Sequence, residues 1–187
     1  MNRKYIDYAV ELIKNGQIII LPTDTLYGFS FDARNSITIE KFNKLKKRNN
    51  PLSIIVNSFD MAVEYAEIDN ENIFKRLLPG PFTLLYKKKS NTNLSKLVTL
   101  NSDLIGIRIP KYDFLLNIVN KLNYPITTTS VNIHGEKALK KISDIKNKFP
   151  NIECFSDGDL ISAGSTIINF TVNPPIIVRQ GDGIYKI

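Results

Sequence analysis

The residues best placed to do chemistry in this chain are polar side chains set directly beside apolar, β-branched runs. Thr23, Asp24 and Thr25 follow the run IIILP; Thr127 to Ser130 and Asn132 follow Pro125; Ser165 and Thr166 open STIINF. A polar group flanking a buried strand needs a hydrogen-bonding partner or a ligand, because burying it unpaired is costly. Arginine placement narrows the chemistry. Lysine outnumbers arginine 19 to 6, yet Arg108 lies inside the apolar segment IGIRIP, Arg179 inside IIVRQ, and Arg48 adjoins Lys46 and Lys47. A guanidinium presents a planar fork that holds a carboxylate or phosphate at two points, which an ammonium cannot do. A buried arginine also requires a counter-charge. An internal ion pair with Asp24, Asp32 or another acid therefore stands beside anion binding as a reading of the buried arginines.

Other chemistries are excluded by counting. One cysteine, Cys154, leaves no internal disulfide and no cysteine-rich zinc site, and one histidine, His134, makes a multi-histidine metal centre or a conventional Ser-His-Asp hydrolase improbable. Cys154 in NIECF reads as a small apolar residue and His134 as a surface residue. The phosphate loop Gly-x-x-x-x-Gly-Lys, the Gly-x-Gly-x-x-Gly fingerprint and His-Glu-x-x-His are all missing. The net charge of +7 points to an anionic partner such as a nucleotide or nucleic acid. The abundance of Lys, Ile and Asn is equally what A/T-rich codons produce. No apolar run reaches about 18 residues, and MNRKYIDYAVELIKNG reads as an amphipathic helix rather than a signal peptide, so a cytoplasmic protein is expected.

The elements that must carry these residues follow from periodicity. Ile6, Ala9, Val10 and Ile13 recur at helical spacing and Asn15-Gly16 closes the segment. QIIILP reads as a strand buried on both faces. A helix is expected over 37–45, a strand at LSIIV, a single helix over 58–78 ending before Pro79-Gly80-Pro81, then strands at FTLLY and IGIRIP. KYDFLLNIVNKLN places Phe114, Leu115, Ile118, Val119 and Leu122 on one helical face. PITTTSVN is strand and loop, and STIINF and IIVRQ form a late hairpin about Asn173-Pro174-Pro175. The basic stretches Lys87–Lys89 and 137–148 read as solvated faces. With 187 residues, a single domain over 1–187 of the α/β, or mixed α+β, class is expected, its mixed sheet flanked by helices.

The segments LPTDTLYGFSFDA, KKRNNPLSIIV, LPGPFTLLYKK, IGIRIP, PITTTSVNIHG, STIINFT and IIVRQGDG stand in the order and spacing of the YrdC/TsaC family, the threonylcarbamoyl-AMP synthases, which the chain resembles from about Gln17 to Gly183. The length is similar to the short form of the family. The resemblance implies a twisted mixed sheet around a basic concave cavity. It also implies a nucleotidyltransferase that makes L-threonylcarbamoyladenylate and pyrophosphate from L-threonine, bicarbonate or CO2, and ATP, with Mg²⁺ carried by the ATP phosphates. The threonylcarbamoyl group then goes, through a transferase machinery, to the adenosine beside the anticodon of tRNA. By matching motifs, the resemblance places Thr25, Arg108, Thr128 and Ser165 at threonine. Arg48, Asn50, Ser130, Asn132 and Arg179 fall at ATP, and Lys46 with Arg48 matches the Lys-x-Arg pair assigned to catalysis. Such chemistry needs no covalent nucleophile: the protein positions the reactants and neutralises charge. The chain departs from the family in Val131 between Ser130 and Asn132, in Gln180 after Arg179, in the threonine run 127–129, and in Ile55, where some members carry a histidine. A non-catalytic RNA-binding module of the same fold is the alternative, with weak RNA binding as a possible accessory property. A carbamoyltransferase-maturation role is disfavoured by the absence of zinc-finger and acylphosphatase-like segments.

Overall fold

The computed structural model describes residues 3–48 and 50–186 and begins with helix α1 (Arg3–Lys14), which buries Ala9, Val10, Leu12 and Ile13. Gly16, at φ +71°, ends it: its N–H bonds the Ile13 carbonyl and the Gln17 N–H bonds the Leu12 carbonyl, both at 3.0 Å. That pair of bonds satisfies the last helical carbonyls in the Schellman manner, with glycine at the left-handed position. Strand β1 (Ile19–Leu21) follows, wholly buried as its sequence predicts.

Strand β2 (Gly28–Asp32) was not legible as a strand, because its residues Gly-Phe-Ser-Phe-Asp carry turn-forming types. Its alternation explains it. Phe29 and Phe31 both pack on Phe42 of α2 (Ser36–Lys46), with ring centroids 5.5 and 4.7 Å apart, and Phe29 also meets Phe149 at 5.0 Å. Gly28 and Ser30 therefore point to the opposite face. Asn35 starts α2 by accepting from the Thr38 N–H.

The helix expected over 58–78 is two helices. After β3 (Ser53–Ile55), Ser58 caps α3 (Phe59–Tyr65) and Asn70 caps α4 (Glu71–Leu77); between them β4 (Ala66–Glu67) leaves the helical path to pair with Lys87 and Lys88 of β5 (Phe82–Lys88). Two good N-caps and the pairing of Ala66 and Glu67 outweigh the propensity for one continuous helix. A short α5 (Lys96–Thr99) precedes β6 (Leu104–Arg108), and α6 (Asp113–Leu122) buries the five apolar residues its periodicity singles out. Strand β7 (Ile126–Ser130) is followed by α7 (Ile142–Lys148) inside the lysine-rich stretch, tethered by buried Ile145. Then β8 (Thr166–Asn169) and β9 (Ile176–Arg179) form the expected antiparallel hairpin.

The strands form one mixed sheet in the order β1-β2-β7-β3-β6-β5-β8-β9, with β4 beside β5. Pairs β3–β6 and β5–β8 are parallel, and the others antiparallel. The register matters for the site. Ser30 opposes Thr128, Thr128 opposes Ser53, Ser53 opposes Gly106 and Gly106 opposes Leu85. Opposed residues share a face, so a row of small side chains crosses the centre of the sheet and leaves a depression. At Gly106 a Cβ would sit 3.0 Å from the Ser53 Cβ and 3.1 Å from Thr83 Cγ2; at Gly28 it would fall 2.1 Å from Thr128 Oγ1. Larger residues at either place would fill the floor or push it apart.

Candidate functional site

That depression is the floor of a cavity of about 580 Å³, walled by the ends of β2, β7, β6, β5, β8 and β9 and by the 163–165 segment. Seven of the residues the motifs single out line it: Thr25, Arg108, Thr128, Ser130, Asn132, Ser165 and Arg179. Residues from the whole length of the chain meet there because β2, β6, β7 and β8 lie within one sheet.

The Thr23–Thr25 turn is held by its own hydroxyls. Thr23 Oγ1 donates to the Leu26 carbonyl at 2.7 Å and accepts from the Thr25 N–H at 3.0 Å. With its proton so committed, Thr23 accepts from Thr25 Oγ1 in their 3.1 Å contact. Thr25 Oγ1 in turn accepts from Arg108 Nη2 at 3.1 Å. The same Nη2 donates to Asp24 Oδ1 at 2.5 Å, and Asp24 Oδ2 accepts from the Lys111 N–H at 3.0 Å. Asp24 is thus the counter-charge of Arg108. Asp32 is taken by its own neighbour: Arg34 grips it at two points, 3.0 and 2.9 Å, and lies over the Tyr124 ring. Burial pushes the Arg108 guanidinium below its ordinary pKa, while Asp24 opposes that shift. Arg108 Nε is buried and has no partner among the described residues, so the fork retains capacity to donate. Arg108 is therefore ion-paired at Nη2 and unpartnered at Nε.

Arg179 reaches across from β9. Its Nη2 donates to the Ser165 carbonyl at 2.7 Å and to Ser165 Oγ at 3.1 Å, and Nε adds a 3.2 Å bond to the same carbonyl. Ser165 Oγ shares a 2.8 Å hydrogen bond with Thr83 Oγ1. Thr83 is a cavity residue that sequence reasoning passed over. The signal was there: a lone small polar residue alternating with apolar ones in FTLLY marks the face that does not join the core. Ser53 and Gly106 carry the same signature in SIIV and IGIR.

Ser130 and Asn132 bind one another. Ser130 Oγ donates to Asn132 Oδ1 at 2.8 Å, and Asn132 Nδ2 donates to the Glu136 carbonyl at 2.6 Å, which fixes both side chains at the cavity wall. The bulkier Val131 between them is fully buried and disturbs neither. Thr128 faces the floor and accepts from Ser30 Oγ at 3.4 Å, so the threonine run keeps its cavity side.

Lys46, Arg48 and Asn50 do not line the cavity among the described residues. Lys46 is buried behind the wall, and its Nζ donates to Thr129 Oγ1 at 3.1 Å and to the Ser130 carbonyl. Burial without a carboxylate partner, aided by nearby Arg48, brings its pKa down to about 8. Arg48 spends its donors on neutral acceptors: the Asn50 carbonyl, Asn43 Oδ1, and the Leu97 and Val98 carbonyls at 3.2 and 3.0 Å. Burial lowers it to about 10. In this arrangement it pins the end of α2 to α5. Asn50 is exposed. His134 is exposed, as expected, and uses its backbone N–H on the Lys46 carbonyl. Cys154 is half-buried, its thiol raised to about 11 by burial, too high for a nucleophile at neutral pH. No group of three His, Cys, Asp or Glu side chains among the described residues could hold a metal ion, and no helix among them is long and apolar enough to cross a membrane.

Both the sequence and the fold find counterparts among known proteins. A family model for Sua5/YciO/YrdC, described as telomere recombination, matches residues 11–181. The chain belongs to the Sua5/YciO/YrdC family. A relative from Methanocaldococcus jannaschii is 35% identical, the match covering 96% of this chain and 86% of that protein. The threonylcarbamoyl-AMP synthase of Pyrococcus abyssi is 30% identical over 94% of this chain, and the human threonylcarbamoyl-AMP synthase 28% identical over 92%. The chain spans about half the length of the Pyrococcus protein, 54%, and 66% of the human one. The structure of Pyrococcus abyssi Sua5 complexed with L-threonine superposes with a TM-score of 0.87 at 28% identity, covering 97% of this chain and 55% of that one. Escherichia coli YciO, at 22% identity and a TM-score of 0.89, shares the fold over 98% of this chain and 92% of its own.

Proposed function

We propose that this Sua5/YciO/YrdC member joins L-threonine, bicarbonate or CO2, and ATP into threonylcarbamoyl-AMP with release of pyrophosphate, as a single catalytic domain over 1–187. The observation that carries the reading is Arg108: a buried guanidinium, tethered by Asp24 and Thr25 at one nitrogen and retaining an unpartnered donor at Nε, inside a cavity lined by hydroxyls. A fork of that kind suits an amino-acid carboxylate. Thr25, Thr128 and Ser165 supply short hydroxyls for the remaining polar groups of threonine. Arg179, which bonds Ser165, and the Ser130–Asn132 pair supply a cation and two mutually oriented polar groups that suit phosphate and ribose oxygens.

In the reaction, the threonine amine attacks CO2 and loses a proton to form a carbamate. The carbamate oxygen then attacks the α-phosphorus and the bond to the pyrophosphate oxygen breaks. Neither step forms a bond to the protein. The residues contribute by holding two anions within reach of each other and by offsetting their repulsion, which is where most of the barrier to such a reaction lies. Lys46 acts from behind, fixing the Ser130 carbonyl and hence the Ser130–Asn132 pair. Arg48 and Asn50 take part in nucleotide binding if Arg48 exchanges its carbonyl acceptors for phosphate oxygens. Mg²⁺ would come with the phosphates and water rather than with a protein cage; among the described residues that line the cavity, Glu136 is the one acid. The ion supplies charge neutralisation on the leaving group. The mixed anhydride product is labile, so a cytoplasmic transferase acting on tRNA receives it directly, and the lysine-rich face adds weak, salt-sensitive RNA affinity.

Two substitutions test the site map by steady-state kinetics. Arg108→Ala raises the KM for threonine by about tenfold or more, the loss expected for a charged hydrogen bond, and leaves the KM for ATP within about twofold. Arg179→Ala does the reverse. Equal effects of both variants on both substrates would contradict the assignment.

A further inference from the structure

We propose that Asp24, a residue outside the cavity lining, is a positioning residue that aims Arg108 at the substrate carboxylate. The proposal rests on the reading that threonine is the amino-acid substrate. Asp24 and Arg108 are buried together, with side-chain exposures of 9% and 8%. One carboxylate oxygen takes Arg108 Nη2 and the other takes the Lys111 N–H. Lys111 follows Arg108 by only three residues, so Asp24 grips the end of β6 twice, once through a side chain and once through backbone. The Lys111 contact fixes the carboxylate itself, and the carboxylate together with Thr25 Oγ1 takes both protons of Nη2, which sets the plane of the guanidinium.

The hydrogen-bond order sharpens this. Thr25 spends its proton on Thr23 and therefore accepts from Nη2, so both protons of Nη2 are committed to the Asp24–Thr25 turn. No other donor of the guanidinium is claimed within the described residues, and Nε is buried without a partner. An unsatisfied buried donor is unfavourable, and an arriving carboxylate relieves it. Asp24 also offsets the repulsion between Arg108 and Arg179, so the two guanidiniums do not both stand uncompensated. The grip extends to the cavity rim: Tyr112, next to Lys111, donates to Asp157, whose N–H bonds Tyr27 OH at 2.8 Å. Tyr27 lines the cavity.

The test is threonine-dependent pyrophosphate release by the full chain carrying Asp24→Asn or Asp24→Glu, with ATP and threonine varied separately and folding followed by thermal melting. Asparagine keeps the size and removes the charge. The expected result for Asp24→Asn is a threonine KM raised about tenfold or more, an ATP KM within twofold of wild type, and partial recovery of the threonine KM in Asp24→Glu. A wild-type threonine KM in Asp24→Asn, or equal rises for both substrates, overturns the positioning role. If Asp24→Asn fails to fold, Asp24→Glu decides by the same split between the two KM values. A wild-type chain without threonine-dependent turnover instead overturns the functional reading and this proposal with it, and so is told apart from the failure of the positioning role alone.

Discussion

At the residue scale, charge is informative where it is buried and scarce, not where it is abundant. The +7 excess is carried largely by exposed lysines, whereas Arg108, Arg179 and Lys46 each sit where their partners can be enumerated. Lys46 gives a pH prediction with a definite sign. Its folded pKa, near 8, lies below the ordinary lysine value of about 10.4, so the unfolded chain binds more protons between those limits. The penalty for burying the charge is therefore complete below about pH 8 and fades as pH rises towards about 10.4. Urea denaturation of the wild type and of Lys46→Met should show the wild type gaining stability relative to the variant as pH is raised from 7.5 to 10; a constant difference would mean that the ammonium is not desolvated. Sequence reasoning found nine of the cavity-lining residues, Thr23 and Thr129 among them, and the Asp24 alternative for Arg108. It could not foresee that Arg48 turns to four neutral acceptors, because backbone carbonyls of a distant segment leave no mark in the sequence.

At the scale of elements, the site exists because the sheet has a small-residue row. Gly106, Ser53 and Thr128 are opposed across three strands, and their side chains are what is missing from the cavity. Gly106→Val should therefore abolish detectable threonine-dependent turnover. It should also destabilise by about 1–3 kcal/mol through overpacking, with both effects read from kinetics and urea denaturation of the same sample; full activity in the variant would move the site off this floor. The complementary prediction concerns the other face. Phe29 is fully buried against Phe42 and Phe149, and Phe29→Ala should cost about 3–5 kcal/mol, measured by urea denaturation. The same strand shows what the sequence concealed. Strands with uniform β-branched runs, such as IIIL, IGI and STII, were legible by composition. In β2, glycine and serine serve the cavity and phenylalanine serves the core, so turn propensity masked a period-2 pattern. The division of 58–78 into two helices was hidden for a related reason, since Ala66 and Glu67 join a sheet whose partner strand lies further along the chain.

For the whole molecule, a sheet ordered β1-β2-β7-β3-β6-β5-β8-β9 draws the turn after β1, the end of β6, the end of β7, the start of β8 and the edge strand β9 into one cavity. No contiguous motif could reveal such a site, which is why each segment alone is weakly informative and their order is strong. The chain belongs to the Sua5/YciO/YrdC family, and the complex of a relative with L-threonine favours the catalytic reading over a nucleic-acid-binding one. The most direct measurement is pyrophosphate release by the purified chain with ATP, Mg²⁺ and bicarbonate, in the presence and absence of L-threonine. The account predicts release that depends on threonine and is lost in Arg108→Ala. Well-folded protein that releases no pyrophosphate in response to threonine, or releases it equally without threonine, would contradict it.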